Sequence, residues 1–121
     1  MQRNAKILAV DDDHEVLEIL KLYLGDDYHL TCTESAEDFL DLADRNFYDL
    51  AVVDLKLPKI SGFELVKKIR RKNPSYPVLV LSGYLDGDRI QSLRDAALYP
   101  MLKPVECEEL RLNVRLSLIH I

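Results

Sequence analysis

Apolar residues along this chain fall into short runs that stop abruptly in a polar side chain. Ile7-Leu-Ala-Val10 runs into Asp11-Asp12-Asp13, Asp49-Leu-Ala-Val-Val53 into Asp54, Pro77-Val-Leu-Val-Leu81 into Ser82, and Pro100-Met-Leu102 into Lys103. Continuous apolar runs of this length predict strands buried on both faces, as in a parallel sheet covered by helices. Tyr28–Thr33 alternates and holds β-favouring residues, which predicts a further strand. Proline is tolerated in strands mainly at an edge, so Pro100–Lys103 is expected to be outermost.

Helical spacing fills the gaps. His14–Leu24 carries Val16, Leu20 and Leu24 on one stripe, with Asp13 as N-cap and Gly25 as stop. Ser35 caps a helix to about Arg45, with Ala36, Phe39, Leu40 and Ala43 facing inward. Ser61-Gly-Phe-Glu64 has capping-box spacing, in which two side chains satisfy the first free N–H groups of a helix. That helix buries Leu65, Val66 and Ile69 and ends in Lys67-Lys68-Ile-Arg70-Arg71-Lys72 before Asn73-Pro74. Cations there complement the helix dipole, so the patch reads as a solvated helix end. Asp86–Ala97 predicts a helix with Ile90, Leu93 and Ala97 inward.

The tail from Glu106 to Ile121 fits two patterns. Leu110, Leu112, Val114, Leu116 and Leu118 alternate with polar residues, as in a strand. On a helix, Cys107, Leu110, Val114 and Ile121 share one face, and Leu112, Leu116 and Ile119 form a second stripe. The alternating β/α order favours the helix, because each parallel strand needs a crossover and a cover. An apolar stripe facing away from the core predicts a contact surface, for self-association or for docking of a following domain.

Composition narrows the classes. The 121 residues suit one domain, and 48% hydrophobic content supports a real core. A net charge of −5 without a long basic run argues against direct nucleic-acid binding. No apolar stretch is long enough to span a membrane, and no signal-peptide core follows Met1–Lys6. Cys32 and Cys107 match no metal-ligand spacing and read as buried reduced thiols. A cytoplasmic protein is expected.

The chemistry lies at the strand ends. Asp11, Asp12, Asp54, Ser82 and Lys103 each follow or close an apolar run, and open α/β sheets bind ligands beyond the carboxyl ends of their strands. Crowded carboxylates repel one another, and one lysine cannot neutralise three. A hard divalent cation with oxygen ligands answers this, and Mg2+ suits few carboxylates with retained waters. Asp54 is then either a ligand alone or also a nucleophile toward phosphorus. Lys103 and Ser82 would offer a charge and a donor to phosphoryl oxygens.

These motifs, in this order, closely resemble the receiver domain of two-component response regulators, the CheY-like family. The resemblance rests on Ile7-Leu-Ala-Val-Asp-Asp12, Asp49–Pro58 with Ser61-Gly-Phe-Glu64, Pro77–Ser82 and Lys103-Pro104, and covers essentially the whole chain. It implies a single flavodoxin-like (βα)5 domain over residues 1–121 with a parallel sheet in strand order 2-1-3-4-5, compatible with a piece of a longer regulator. It implies that Asp54 accepts a phosphoryl group from a sensor histidine kinase or phosphotransfer protein, without acting as a turnover enzyme. Asp12, Asp54 and the backbone carbonyl of Lys56 would hold Mg2+ directly, and Asp11 mainly through water. Ser82 would move toward the phosphoryl group and Lys103 would pair with it. The family usually has a cis bond before the proline after this lysine. Departures are Gly83 for a common Ala, Ala96-Ala97 for Gly-Ala, and Pro100 where an aromatic switch residue is usual. Tyr99 sits one place earlier, and Tyr84, two residues after Ser82, could serve instead or shield the phosphoryl group from water.

Two other readings stand beside this one. A haloacid-dehalogenase-like phosphohydrolase also uses an Asp nucleophile and Mg2+, but it wants Asp-x-Asp, and Lys56 follows Asp54 two places on. A receiver-shaped interaction module that is never phosphorylated would explain Pro100 and Ala96, yet has no need of the acidic cluster.

Overall fold

The computed structural model describes residues 4–119. Five strands alternate with five helices: β1 Lys6–Val10, α1 His14–Leu24, β2 His29–Thr33, α2 Ala36–Arg45, β3 Leu50–Asp54, α3 Gly62–Lys72, β4 Val78–Ser82, α4 Gly87–Asp95, β5 Tyr99–Leu102 and α5 Cys107–Ile119. All strand pairs are parallel, and the sheet order is β2-β1-β3-β4-β5. This is the CheY-like α/β fold, with the proline-bearing β5 at an edge.

Continuous apolar strands are what a sheet covered on both faces requires. One layer packs Leu17, Leu20 and Leu24 of α1 and Leu110, Val114 and Leu118 of α5 against Ile7, Val52 and Leu79. The other packs Phe39 of α2, Leu65, Val66 and Ile69 of α3, and Leu93 of α4 against Leu8, Val53 and Val80. Each such side chain contributes about 1.5–3 kcal/mol on leaving water.

Local capping agrees with the sequence, except that the capping box at Ser61–Glu64 forms only its serine half. Asp13, Ser35, Ser61 and Asp86 accept from Glu15, Asp38, Glu64 and Arg89 N–H groups respectively. Each satisfies one donor that a helix start leaves free.

Several expectations need correction. Leu17, rather than Val16, is the buried member of the first stripe of α1, because Val16 lies toward the rim. Leu40 and Ala43 are only partly buried. Cys32 and Cys107 are half-buried rather than enclosed. The predicted helix Asp86–Ala97 stops at Asp95, and Ala97 is exposed with a φ of 57°. There the Leu98 N–H bonds Leu93 O at 2.8 Å and the Ala97 N–H bonds Arg94 O at 2.9 Å. That pair of bonds is a Schellman motif, and its left-handed position is normally glycine. Leu98 takes the inward place assigned to Ala97. The tail is a helix, and Leu110, Val114 and Leu118 form its core side, with Asn113 also buried. Ile121, expected on that face, lies outside the described residues.

Candidate functional site

Register brings the polar strand ends together. Val10 pairs with Val53, so Asp11 and Asp54 follow on adjacent strands. Asp54 pairs with Leu81 and Ser82 with Leu102, which sets Ser82 and Lys103 one step farther along the same edge. A parallel sheet thereby converts four distant segments into one cluster.

Asp11 and Asp54 are buried, while Asp12 is exposed. One carboxylate oxygen from each of the three lies within 4.8 Å of the others. Lys103 Nζ stands 2.9 Å from Asp11 Oδ2 and 3.3 Å from Asp54 Oδ1. The Lys56 N–H donates to Asp54 Oδ1 at 3.3 Å, and the Asp13 N–H donates to Asp11 Oδ1 at 2.9 Å. Asp11 Oδ2, although ion-paired in distance, receives no well-directed hydrogen bond and is a buried orphan.

The electrostatics follow from this crowding. Burial, and then the Asp11 charge, raises the Asp54 pKa to about 6 against the opposing pull of Lys103 and the Lys56 N–H. Burial pulls the Lys103 pKa down, but the two carboxylates outweigh it and the net shift is upward. A single ammonium thus leaves the cluster short of positive charge.

This donor set fits Mg2+. It offers converging carboxylate oxygens, a buried oxygen without a hydrogen bond, and one exposed carboxylate on the open side where waters can be retained.

Ser82 closes β4 beside the cluster but directs its hydroxyl elsewhere. Its Oγ donates to Tyr84 O at 2.7 Å and accepts from the Tyr84 N–H at 3.2 Å. Tyr84 and Tyr99 are exposed, and Pro100 is half-buried on the edge strand. The Lys103-Pro104 peptide is cis.

Sequence reasoning missed two participants. Gly62 opens α3 so close to the site that an added Cβ would stand 2.5 Å from Asp54 O. Arg70 was assigned to a solvated basic end, yet its guanidinium bonds the Tyr76, Ala96 and Ala97 carbonyls. A glycine directly after a capping serine was a legible signal for the first. Helical phase sets Arg70, four residues after Val66, on the flank of the buried face and Arg71 on the outer side, but nothing local names the carbonyls that Arg70 meets.

Among the described residues, no helix is long and apolar enough to cross a membrane. The family model described as response regulator receiver domain matches residues 7–115. VanR, a regulatory protein of Enterococcus faecium, is 36% identical over 115 residues, covering 93% of this chain and 49% of that protein. The response regulator ArlR of Staphylococcus aureus is 33% identical over 112 residues, covering 91% of this chain and 51% of that protein. The chain therefore spans about half the length of these relatives. Among solved structures, a CheY-like receiver domain protein of Methanospirillum hungatei JF-1 superposes with a TM-score of 0.87 at 27% identity, covering 97% and 95% of the two chains. The BeF3-activated DrrB receiver domain gives 0.86 at 27% identity, covering 96% and 98%. Strand order, acidic strand ends and these matches agree: the chain belongs to the receiver domain family of two-component response regulators.

Proposed function

We propose that Asp54 is the phosphoacceptor of this receiver domain and that its phosphorylation resets the Ser82 loop. The observation that carries the reading is Lys103 Nζ bridging Asp11 and Asp54 at the mouth of an under-neutralised acidic pocket. In the transfer, an Asp54 carboxylate oxygen bonds phosphorus while the phosphorus–nitrogen bond of a phosphohistidine breaks. The electron pair leaves with the imidazole nitrogen, which takes up a proton. Lys103 pairs with the incoming phosphoryl oxygens, and the Lys56 N–H helps hold Asp54 in place. Asp12, Asp54 and the Lys56 carbonyl would hold Mg2+, with Asp11 reached mainly through water. When bound, Mg2+ screens the charge between carboxylates and phosphoryl oxygens.

Ser82 gives the chemistry its outlet. To donate to a phosphoryl oxygen, its hydroxyl must leave the Tyr84 carbonyl, which frees the loop leading to α4. Tyr84 lies on that loop, Tyr99 and Pro100 lie on β5 opposite Leu79 and Val80, and exposed Tyr84 can close over the pocket mouth. The donor would be a sensor histidine kinase or a phosphotransfer protein, with one phosphoryl group accepted per cycle rather than turnover of a substrate.

Incubation with Mg2+ and a small-molecule phosphodonor, followed by intact mass, tests this. The expected result is one phosphoryl adduct, absent in Asp54→Ala and without Mg2+. An adduct that survives Asp54→Ala overturns the assignment. No adduct, with no binding of beryllofluoride, would instead favour an interaction module that is not phosphorylated.

A second apolar surface supports self-association. Leu112 and Ile119 on α5 are exposed, with Leu116 half-buried on the same helix. A homodimer through this face, or docking of an output region, would cover them. Sedimentation with and without beryllofluoride reads it, and Leu116→Glu is expected to weaken any dimer. A monomer throughout, indifferent to Leu116→Glu, removes it.

A further inference from the structure

Helix α4 is attached to the domain unevenly. Its only fully buried residue is Leu93, in its last turn, and Ile90 is half-covered. At its start, Gly83 and Gly87 have open space around them, where an added Cβ would meet nothing within 4 Å. At its end, the Schellman bonds of Ala97 and Leu98 close the helix, and one side chain from another element reinforces them. Arg70 Nη2 donates to Ala97 O at 2.7 Å and to Tyr76 O at 2.9 Å, Nε donates to Tyr76 O at 3.2 Å, and Nη1 donates to Ala96 O. The guanidinium thus ties the end of α3, the turn before β4 and the end of α4 into one joint. Its planar fork suits this, since the three donors of a lysine all sit on one nitrogen.

We propose that Arg70 is a positioning residue that makes the C-terminal end of α4 a fixed pivot. Changes at Ser82 then swing the glycine-bracketed N-terminal end and leave Ala96–Leu98 in place. The pivot deepens the phosphorylation reading given above, because that reading supplies the push at Ser82, but its anchoring half stands without it. A pivot converts a small loop movement into a directed tilt of α4 against β5. An unanchored helix of this kind would shift or fray as a whole, since only Leu93 holds it in the core.

Amide exchange followed by NMR on the full chain tests both halves. In the unliganded protein, Arg70→Gln is expected to speed exchange at the Ala97 and Leu98 amides about tenfold, with much less change near Ile90. Arg70→Lys should recover only part of this, because three donors on one nitrogen cannot span carbonyls on two separate segments. Uniform acceleration along α4, or none, overturns the anchor. With Mg2+ and beryllofluoride, shift changes in the native chain should centre on residues 83–91 and fade by Ala97. In Arg70→Gln they should spread through Leu98. An equal response at both ends of α4 in the native chain, or an identical pattern in the variant, overturns the pivot. Absence of any beryllofluoride response at Asp54 would sink the phosphorylation reading, while the unliganded exchange still decides the anchor. Ala97→Gly is the control: it relieves the backbone there but keeps the carbonyls, so the fading pattern should persist.

Discussion

Helices α3 and α4 enter the same face of the sheet after strands that end in a site residue, yet they are held in opposite ways. The start of α3 is jammed against Asp54: the Gly62 N–H bonds Leu55 O at 3.0 Å, and no side chain fits at Gly62. Leu65, Val66 and Ile69 then bury its whole inner face. The first turn of α4 buries no side chain, Leu85 before it is only partly covered, and its fully buried hold comes at the far end through Leu93 and the Arg70 joint. The half beside the Asp54 carboxylate is closely packed, and the half that follows Ser82 is open. Both follow from what surrounds the first turn, since intrinsic helix preference is weak beside tertiary packing.

Gly62→Ala would break this comparison most severely. Alanine favours a helix, but a Cβ 2.5 Å from the Asp54 carbonyl forces the backbone aside. A loss of about 3 kcal/mol is expected, because overpacking of a closed site outweighs propensity. Urea unfolding measures it, and a neutral result would mean that the start of α3 is as loose as that of α4.

Asp54→Asn is expected to stabilise the unphosphorylated protein without Mg2+. The Asp54 pKa is raised to about 6, so between the unfolded value and that figure the folded state holds a proton that the unfolded chain has lost. Stability from this group therefore falls as pH rises through that window, and the cost is fully present above it. Removing it should gain on the order of 2–3 kcal/mol at pH 7, and little below about pH 4. Lys103 keeps its Asp11 partner in the variant. Parallel melts across pH read the effect, and a gain independent of pH would contradict it. Adding Mg2+ should narrow the gain, because it stabilises only the native carboxylate.

Ala97→Gly sharpens the contrast at the other end of α4. Left-handed backbone penalises an L side chain, partly offset by the entropy of glycine, so a gain of about 1 kcal/mol is expected. Gly87→Ala should change stability least, by a gain of about 0.5 kcal/mol, since its surroundings are open and its backbone is not left-handed. A large loss at Gly87 would show that the first turn of α4 is packed after all.

The amino-acid sequence by itself determined the elements and the membership of the acidic cluster. Apolar runs ending in Asp11, Asp54, Ser82 and Lys103 are local patterns, and parallel pairing brings strand ends together whatever the details between them. The caps at Asp13, Ser35 and Ser61 were equally legible, because a cap acts on amides two or three residues away. Only the tertiary structure decided which carbonyls Arg70 meets, that Ala97 leaves the helix in a left-handed turn, and that the Ser82 hydroxyl is held by Tyr84. The Arg70 contacts depend on where distant segments place their carbonyls, while the Ala97 turn and the Ser82–Tyr84 bonds are single-residue backbone choices that an apolar pattern does not encode.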